Sequence, residues 1–175
     1  MKNKIHIMGP SGSGKTHLAE KLSTKLHILH YDLDDIFWEI KYSKKRDEAI
    51  RNNILENICL TNSWITEGVY TDWTKKAIDD SEYLIWVDAP FHTLSYRLIK
   101  RYDEMKKERQ NTNFDELKKL LNSVRKYKFN NGQLEYSEIM KNYEKEFIKI
   151  NNQKEMNLFL EDITTNYQHI LNINS

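Results

Sequence analysis

The chain is poor in the residues that cross-link and punctuate a fold. It has one cysteine, two prolines and five glycines in 175 residues. One thiol closes no internal disulfide, which fits a reducing compartment. Cys59 follows the apolar positions Ile50, Ile54 and Ile58 and reads as a packed side chain, because no base partner for a nucleophile is visible. Long apolar runs are also missing. MKNKIHIMGP is too short an apolar stretch for a signal peptide, and nothing approaches the roughly 18 apolar residues of a membrane span. Charge of one sign is not in excess either: 27 Lys and Arg against 26 Asp and Glu leave a net +1. That balance gives no support to a nucleic-acid-binding surface. We expect a cytoplasmic protein with one domain over residues 1–175, since this length supports one core and not two ordinary ones.

What is present is an alternation of short apolar runs with helical patterns. IHIM (5–8), HILHY (27–31), SWIT (63–66), YLIWV (83–87) and FIKI (147–150) read as strands. Lys15–Leu26, Arg46–Leu60 and Thr74–Ser81 read as helices between them. A further helix should run from Pro90 to about Arg109, with proline in its first turn. Asn113 and Glu116 resemble a capping box before another, NNG (130–132) is a turn, Lys154–Leu160 is a final helix, and 165–175 is a tail. The pattern predicts a three-layer α/β/α fold around a five-stranded parallel sheet. Two insertions interrupt it, at about 32–62 and about 100–140.

GPSGSGKT (9–16) lies between the first strand and first helix and fits G-x-x-x-x-G-K-[ST] throughout. Gly9, Gly12 and Gly14 let the backbone curl across Pro10, Ser11 and Ser13 so that N–H groups point at phosphate oxygens, and the helix adds its positive end. Lys15 can bridge β- and γ-phosphates, and the Thr16 hydroxyl can ligate Mg²⁺. The motif implies a nucleotide and a metal. It does not say what becomes of the terminal phosphate.

Acids trail the second and third strands. Ligands of open α/β sheets sit at the carboxyl ends of strands, so HYDLDDIFW (30–38) falls on the edge that carries the glycine-rich loop. Alternation along an extended segment would turn Asp32 and Asp34 one way and Asp35 the other. Asp34 is then the candidate to orient or deprotonate an acceptor, and Asp32 to support the metal's water shell. The alternative is a helix start, with Asp35 as its cap or as a solvated residue. In WITEGVY (64–70), Glu67 is the second acid for the metal and Gly68 allows close approach to a substrate. Trp38, Tyr70 and Trp73 are candidate walls of the acceptor pocket or ordinary core aromatics. Asp88 is a competing acid, ranked below Glu67 because Ala89-Pro90 suggests helix entry.

FHTLSYRLIKRYDEMKKER (91–109) reads as a basic helix. Arg97 and Arg101 stand one turn apart on one face, where guanidinium groups could steady a transferring phosphoryl group. Lys106, Lys107 and Arg109 follow; for these lysines a solvated face with Asp103, Glu104 and Glu108 is the simpler reading. An insertion here could close over a nucleotide and exclude water.

GPSGSGKT, LDDIFW, WITEGVY, WVDAP (86–90) and Arg97-x-x-x-Arg101, in this order, resemble the adenylate-kinase-related P-loop proteins labelled topology-modulation proteins. The resemblance covers about residues 4–160. It implies strand order 2-3-1-4-5, an acceptor segment after strand two and an arginine-bearing lid after strand four. It puts Glu67 at the Walker B position, makes Asp32-x-Asp34 similar to the acidic pair of shikimate-type kinases, matches Arg97 and Arg101 to arginines that hold ATP, and brings Asn151 and Asn152 near the adenine. One departure stands out. Adenylate kinases carry Asp-Gly-x-Pro-Arg after strand three, whereas Glu67-Gly68-Val69-Tyr70 has neither Pro nor Arg. Arg46 or Arg51 would have to replace the acceptor-phosphate arginine.

These readings lead to an ATP- and Mg²⁺-dependent kinase for a small hydroxylated or phosphorylated metabolite. Its expected partners are a nucleotide and a small acceptor, without nucleic acid or membrane, in a monomer or homodimer. The rival is a P-loop ATPase or nucleotide-binding regulator. Nucleic-acid-linked action through the basic lid is a third reading.

Overall fold

A computed structural model describes residues 3–41, 43–108 and 113–173, with side chains to residue 163. The expected helix end at Arg109 lies outside the described residues, as do positions 109–112 of the lid insertion. In chain order the elements are β1 (Asn3–Met8), α1 (Lys15–Leu26), β2 (His30–Asp32), α2 (Leu33–Phe37), β3 (Trp38–Ile40), β4 (Lys44–Lys45), α3 (Glu48–Leu60), β5 (Ser63–Gly68), α4 (Lys75–Asp80), β6 (Tyr83–Val87), α5 (Phe91–Glu108), α6 (Phe114–Phe129), α7 (Gly132–Asn142), β7 (Glu146–Ile150) and α8 (Gln153–Ile173).

The main sheet has five parallel strands in the order β2-β5-β1-β6-β7. Counted along the sheet's own strands this is the expected 2-3-1-4-5. Central β1 is buried on both sides. Ile5 and Ile7 meet α1 and α8 through Leu18, Leu22, Met156 and Leu160. Met8, on the opposite face, packs with Trp86, Tyr127, Tyr136 and Met140. A third cluster under α3 and α4 joins Leu33, Leu55, Ile58, Cys59 and Trp64. Burial pushes the Cys59 thiol up to about 11, in keeping with a packed and unreactive side chain.

Several boundaries differ from expectation for physical reasons. β2 begins at His30 and not at His27, because His27 takes a left-handed conformation (φ 55°) that closes α1. β5 runs two residues past SWIT, so Glu67 and Gly68 belong to the sheet. The pattern puts Ile50, Ile54 and Ile58 on one face of α3; Ile58 is buried and Ile54 packs on the core, but Ile50 is 55% exposed, and Arg51 and Leu55 turn inward beside them. The insertion between β2 and β5 also contains α2, raised in the sequence only as the alternative of a helix start, and the β3–β4 hairpin, which the sequence pattern did not reveal. The turn at 130–132 leads into the unforeseen α7. The last helix does not stop near Leu160: α8 continues to Ile173, and Ile163 still packs against the first core cluster.

The lid insertion is well packed. Leu94 and Leu98 of α5 meet Leu117 and Val124 of α6, and Asn113 caps α6 by accepting from the Asp115 N–H at 2.9 Å. Asp88 ties this assembly to the sheet. Its Oδ1 accepts from Lys128 Nζ (2.7 Å) and from the Ala89 N–H (2.8 Å), and its Oδ2 accepts from Gln133 Nε2 (2.9 Å). The β6 end, the α6 end and the α7 start therefore meet at one buried carboxylate.

Replacing Asp88 by alanine would leave the Lys128 ammonium buried without its partner. We expect a loss of about 3–5 kcal/mol, measured by urea denaturation; a loss below about 1 kcal/mol, the range of exposed pairs, would contradict the anchoring role.

Candidate functional site

The glycine-rich loop is shaped by close approach. A Cβ on Gly9 would lie 2.1 Å from the Val87 carbonyl oxygen, so any side chain there would collide with β6. Gly12 has φ +80°, and a Cβ on it would lie 2.9 Å from the Leu94 carbonyl oxygen of α5. The loop leads into α1, whose first turn carries no acid to offset its positive end. Lys15 is buried, and its ammonium donates to the Pro10 carbonyl at 3.1 Å. Burial lowers its pKa, while the charges of Glu67, Asp34 and Asp32 hold it up; nearby Arg101 adds to the lowering.

Strand register brings the acids to this loop. Asp32 lies opposite Glu67, and Glu67 opposite Ile7, two residues before Gly9. Thr16 Oγ1 donates to Glu67 Oε1 at 2.6 Å. Burial raises the Glu67 pKa, against the pull of Lys15 and of the Thr16 hydrogen bond. His30 Nε2 stands 4.0 Å from Glu67 Oε1. The helix-start alternative is realised in part, with Asp32 as the cap and not Asp35: Asp32 Oδ1 accepts from the Asp34 N–H at 2.8 Å. Burial raises the Asp32 pKa as well. Asp34 lies inside α2, so a turn of helix and not strand alternation sets it beside Asp32. Tyr70 Oη donates to Asp34 Oδ1 at 2.7 Å. Burial, then this carboxylate, push the Tyr70 phenol far above its ordinary range, so it remains a donor. Asp35 is exposed and pairs with Lys41.

Two hollows that share Arg97 in their walls result. One, of about 370 Å³, is lined by Ser11, Gly12, Gly14, Lys15, Thr16, Asp32, Asp34, Glu67, Gly68, Lys41, Arg97 and Arg101, among others. The other, of about 580 Å³, is lined by Ser13, Asp88, Thr93, Arg97, Asn151, Asn152 and neighbours. Arg97 lines both. Its Nη1 donates to the carbonyls of Ser13 (2.9 Å) and Gly12 (3.3 Å), so it braces the loop from outside. Arg101, one turn further, makes no hydrogen bond or ion pair among the described residues and is free to meet a ligand's charge. Asn151 is held by Glu155, which accepts from its backbone N–H (2.7 Å) and its Nδ2 (3.1 Å).

Other expected residues stand elsewhere. Arg46 does not reach the cleft: its guanidinium donates to the carbonyls of Ile36 (2.9 Å), Asp35 (3.2 Å) and Trp38 (3.2 Å), closing the end of α2. Trp38 and Trp73 do not line the cleft and pack around Phe37; Tyr70 reaches it through its hydroxyl on Asp34. Sequence reasoning missed Lys41, which lines the cleft and lies 3.6 Å from Asp32 Oδ2. It sits in an exposed hairpin with no motif to mark it. The burial of Arg51 was legible in principle, since Arg51, Leu55 and Ile58 share the spacing of one helix face.

A family model described as an AAA domain matches residues 5–121. Among curated proteins, the uncharacterized protein YqaC of Bacillus subtilis (strain 168) is 34% identical over 107 residues, 58% of this chain. The match spans 60% of that relative's length. Among solved structures, a shikimate kinase from Bacteroides thetaiotaomicron superposes with a TM-score of 0.57 at 17% identity, covering 95% of this chain and 98% of that one. A shikimate kinase from Acinetobacter baumannii in complex with shikimate gives 0.56 at 17%, over 96% and 92%. A gluconokinase from Sinorhizobium meliloti 1021 gives 0.55 at 12%, over 96% and 97%. At these identities the likeness is one of fold. No helix among the described residues is long and apolar enough to cross a membrane.

Because Glu67 is held above the ordinary carboxylate value of 4.5, its contribution to folding falls as pH rises from that value through the folded one. Carboxyl-carbon NMR should show a Glu67 midpoint above 4.5. Thr16→Val should move it further up, since the hydroxyl favours the ionised form. A midpoint at or below the ordinary value would contradict the geometry.

Proposed function

The chain belongs to the AAA domain family and shares the fold of a shikimate kinase, and from that premise we propose that it is a P-loop kinase that transfers a phosphoryl group from ATP, with Mg²⁺, to a small hydroxylated or phosphorylated metabolite. The observation that carries this reading is the shared cleft: Asp32 and Asp34 line the same hollow as Lys15, Thr16 and Glu67. A hydrolytic switch needs no second acidic pair beside its phosphate loop. The reading includes a single kinase-like domain over 1–175, a cytoplasmic setting, a monomer or homodimer, and a place in the topology-modulation subgroup.

Each residue has a role in this reading. The backbone of residues 9–14 and Lys15 bind the phosphate chain. Thr16 and Glu67 would hold Mg²⁺, which supplies charge neutralisation between the terminal phosphates. The donor set fits a hard cation, being a hydroxyl and a carboxylate 2.6 Å apart. Among the described residues no three acidic, histidine or cysteine side chains form a metal cage, and Mg²⁺ ordinarily uses one or two carboxylates with phosphate and water. Asp32 supports that shell from the neighbouring strand. Asp34, steadied by Tyr70, orients the acceptor hydroxyl and takes its proton, and Gly68 leaves room for the acceptor beside it. Arg101 meets the charge that spreads over the transferred group. Arg97 fixes the loop and, with Asn151, borders the hollow that would take the nucleoside.

ATP turnover with and without a panel of small hydroxylated metabolites tests the proposal. Slow hydrolysis alone, and acceleration with formation of a phosphorylated product, is the expected result. Indifference to every acceptor would favour the nucleotide-dependent regulator. Lys15→Ala should abolish turnover with the fold intact. Asp34→Asn should lower kcat by about 10²–10⁴-fold, the usual worth of a general base, with nucleotide affinity unchanged. Equal loss of both would make Asp34 structural.

A further inference from the structure

The larger hollow has apolar walls, which include Ile150 and Met156, and a rim of side-chain amides. Such a lining suits a flat ring whose edge is read by a few placed polar groups. The amides Asn151, Asn152 and Gln153 differ in what they have left to offer. Asn152 is spent on the start of α8: its Oδ1 accepts from the Glu155 N–H (3.0 Å) and its Nδ2 donates to Glu155 Oε1 (2.6 Å). Gln153 Nε2 donates to Asn157 Oδ1 at 3.1 Å, and its Oε1 accepts from Arg97 Nη2 at 3.5 Å. The hollow's two cations are directed elsewhere, Arg97 to the loop carbonyls and Lys128 to Asp88.

Asn151 is exposed and lines the hollow, so what it offers can be met from there. Glu155 Oε2 accepts from both its backbone N–H and its Nδ2. The Asn151 N–H holds the Glu155 carboxyl below the usual carboxylate range, so at neutral pH this side chain only accepts. The Asn151 amide must therefore turn its nitrogen toward Glu155 and its oxygen away. Neither Oδ1 nor the backbone carbonyl of Asn151 receives a hydrogen bond from any described residue. Asn151 is left with two open oxygens, and its one unspent N–H sits on the nitrogen that lies against Glu155.

We propose that Glu155 is a specificity-determining residue for the nucleotide: by tying up the nitrogens of Asn151 it leaves a rim of acceptors, which selects a base that donates an exocyclic amino group over one with an oxo group at the same place. An oxo group there would face oxygens and lose its hydrogen bond to water without replacement. The inference rests on the hollow being the nucleoside end of the site, and not on transfer of the phosphoryl group. Asn152 and Glu155 also resemble a capping box. A capping role alone would support every nucleotide equally, so the ratio between two bases separates the roles.

The test is calorimetric titration of ADP, inosine diphosphate and inorganic tripolyphosphate at fixed Mg²⁺. The two nucleotides share sugar and phosphates and differ in the base edge alone. ADP should bind at least about tenfold more tightly than inosine diphosphate, the worth of one hydrogen bond left unmade. Glu155→Ala frees the Asn151 donors and should bring the two within about threefold, with tripolyphosphate binding unchanged as the sign of an intact phosphate loop. Glu155→Gln should keep most of the preference, because one amide oxygen can take both Asn151 nitrogens as Oε2 does. Asn151→Ala, which removes one open oxygen and leaves the Asn152 cap in place, should narrow the ratio. Equal binding of the two nucleotides by the unaltered protein, or a ratio that Glu155→Ala and Asn151→Ala both leave unchanged, would overturn the proposal. Base preference without phosphoryl transfer to any acceptor would sink the kinase reading alone, and transfer without base preference would sink this inference alone.

Discussion

Glu67 is a buried carboxylate facing a buried ammonium and a hydroxyl, and the arrangement of the site depends on that contact. Thr16 reaches it from the first turn of α1, Lys15 balances it electrostatically, and Asp32 lies opposite it across β2 and β5. The charges would be costly if buried singly. Together they hold the phosphate loop against the carboxyl edge of the sheet. Burial lowers the Lys15 pKa and raises that of Glu67, and the attraction between the two charges works against both shifts.

Around this centre, scaffolding and chemistry divide between neighbouring residues of one type. Arg97 is spent on the loop's carbonyls, while Arg101, one turn away, is left open to the cleft. Asp88 is saturated by Lys128, Gln133 and its own neighbour's N–H, while Asp34 keeps one oxygen beyond its bond to Tyr70. Arg46 spends Nε and Nη2 on three backbone carbonyls at the end of α2, while Arg51 spends the same two nitrogens on the Asn52 side chain. In each pair, residue type alone does not distinguish brace from contact. Remaining hydrogen-bonding capacity does.

The legible features were local. GPSGSGKT needs only its own backbone and the helix that follows, so its place was readable directly. The strand at 83–87 was readable because a parallel strand covered on both faces is an apolar run, and the one at 147–150 as a short run of Phe147, Ile148 and Ile150 although it lies at the sheet's exposed edge. The β3–β4 hairpin was not, because its short strands are charged and exposed, and α7 went unread although Tyr136, Ile139, Met140 and Tyr143 share the spacing of one helix face. The inward face of α3 was read in part: Ile54 and Ile58 pack on the core, while Ile50 is exposed and an arginine lies among rings in its stead.

The sequence by itself determined an α/β chain with a phosphate-binding loop and acids at the ends of its second and third sheet strands, since spacing and hydrophobic period are properties of neighbours along the chain. Only the tertiary structure decided which acid caps, which arginine braces and which cation is left unanswered. Those outcomes depend on register between β2 and β5 and on the packing of α2, α3 and α5 against them. They are set by which partners arrive from distant parts of the chain to fill each donor and acceptor.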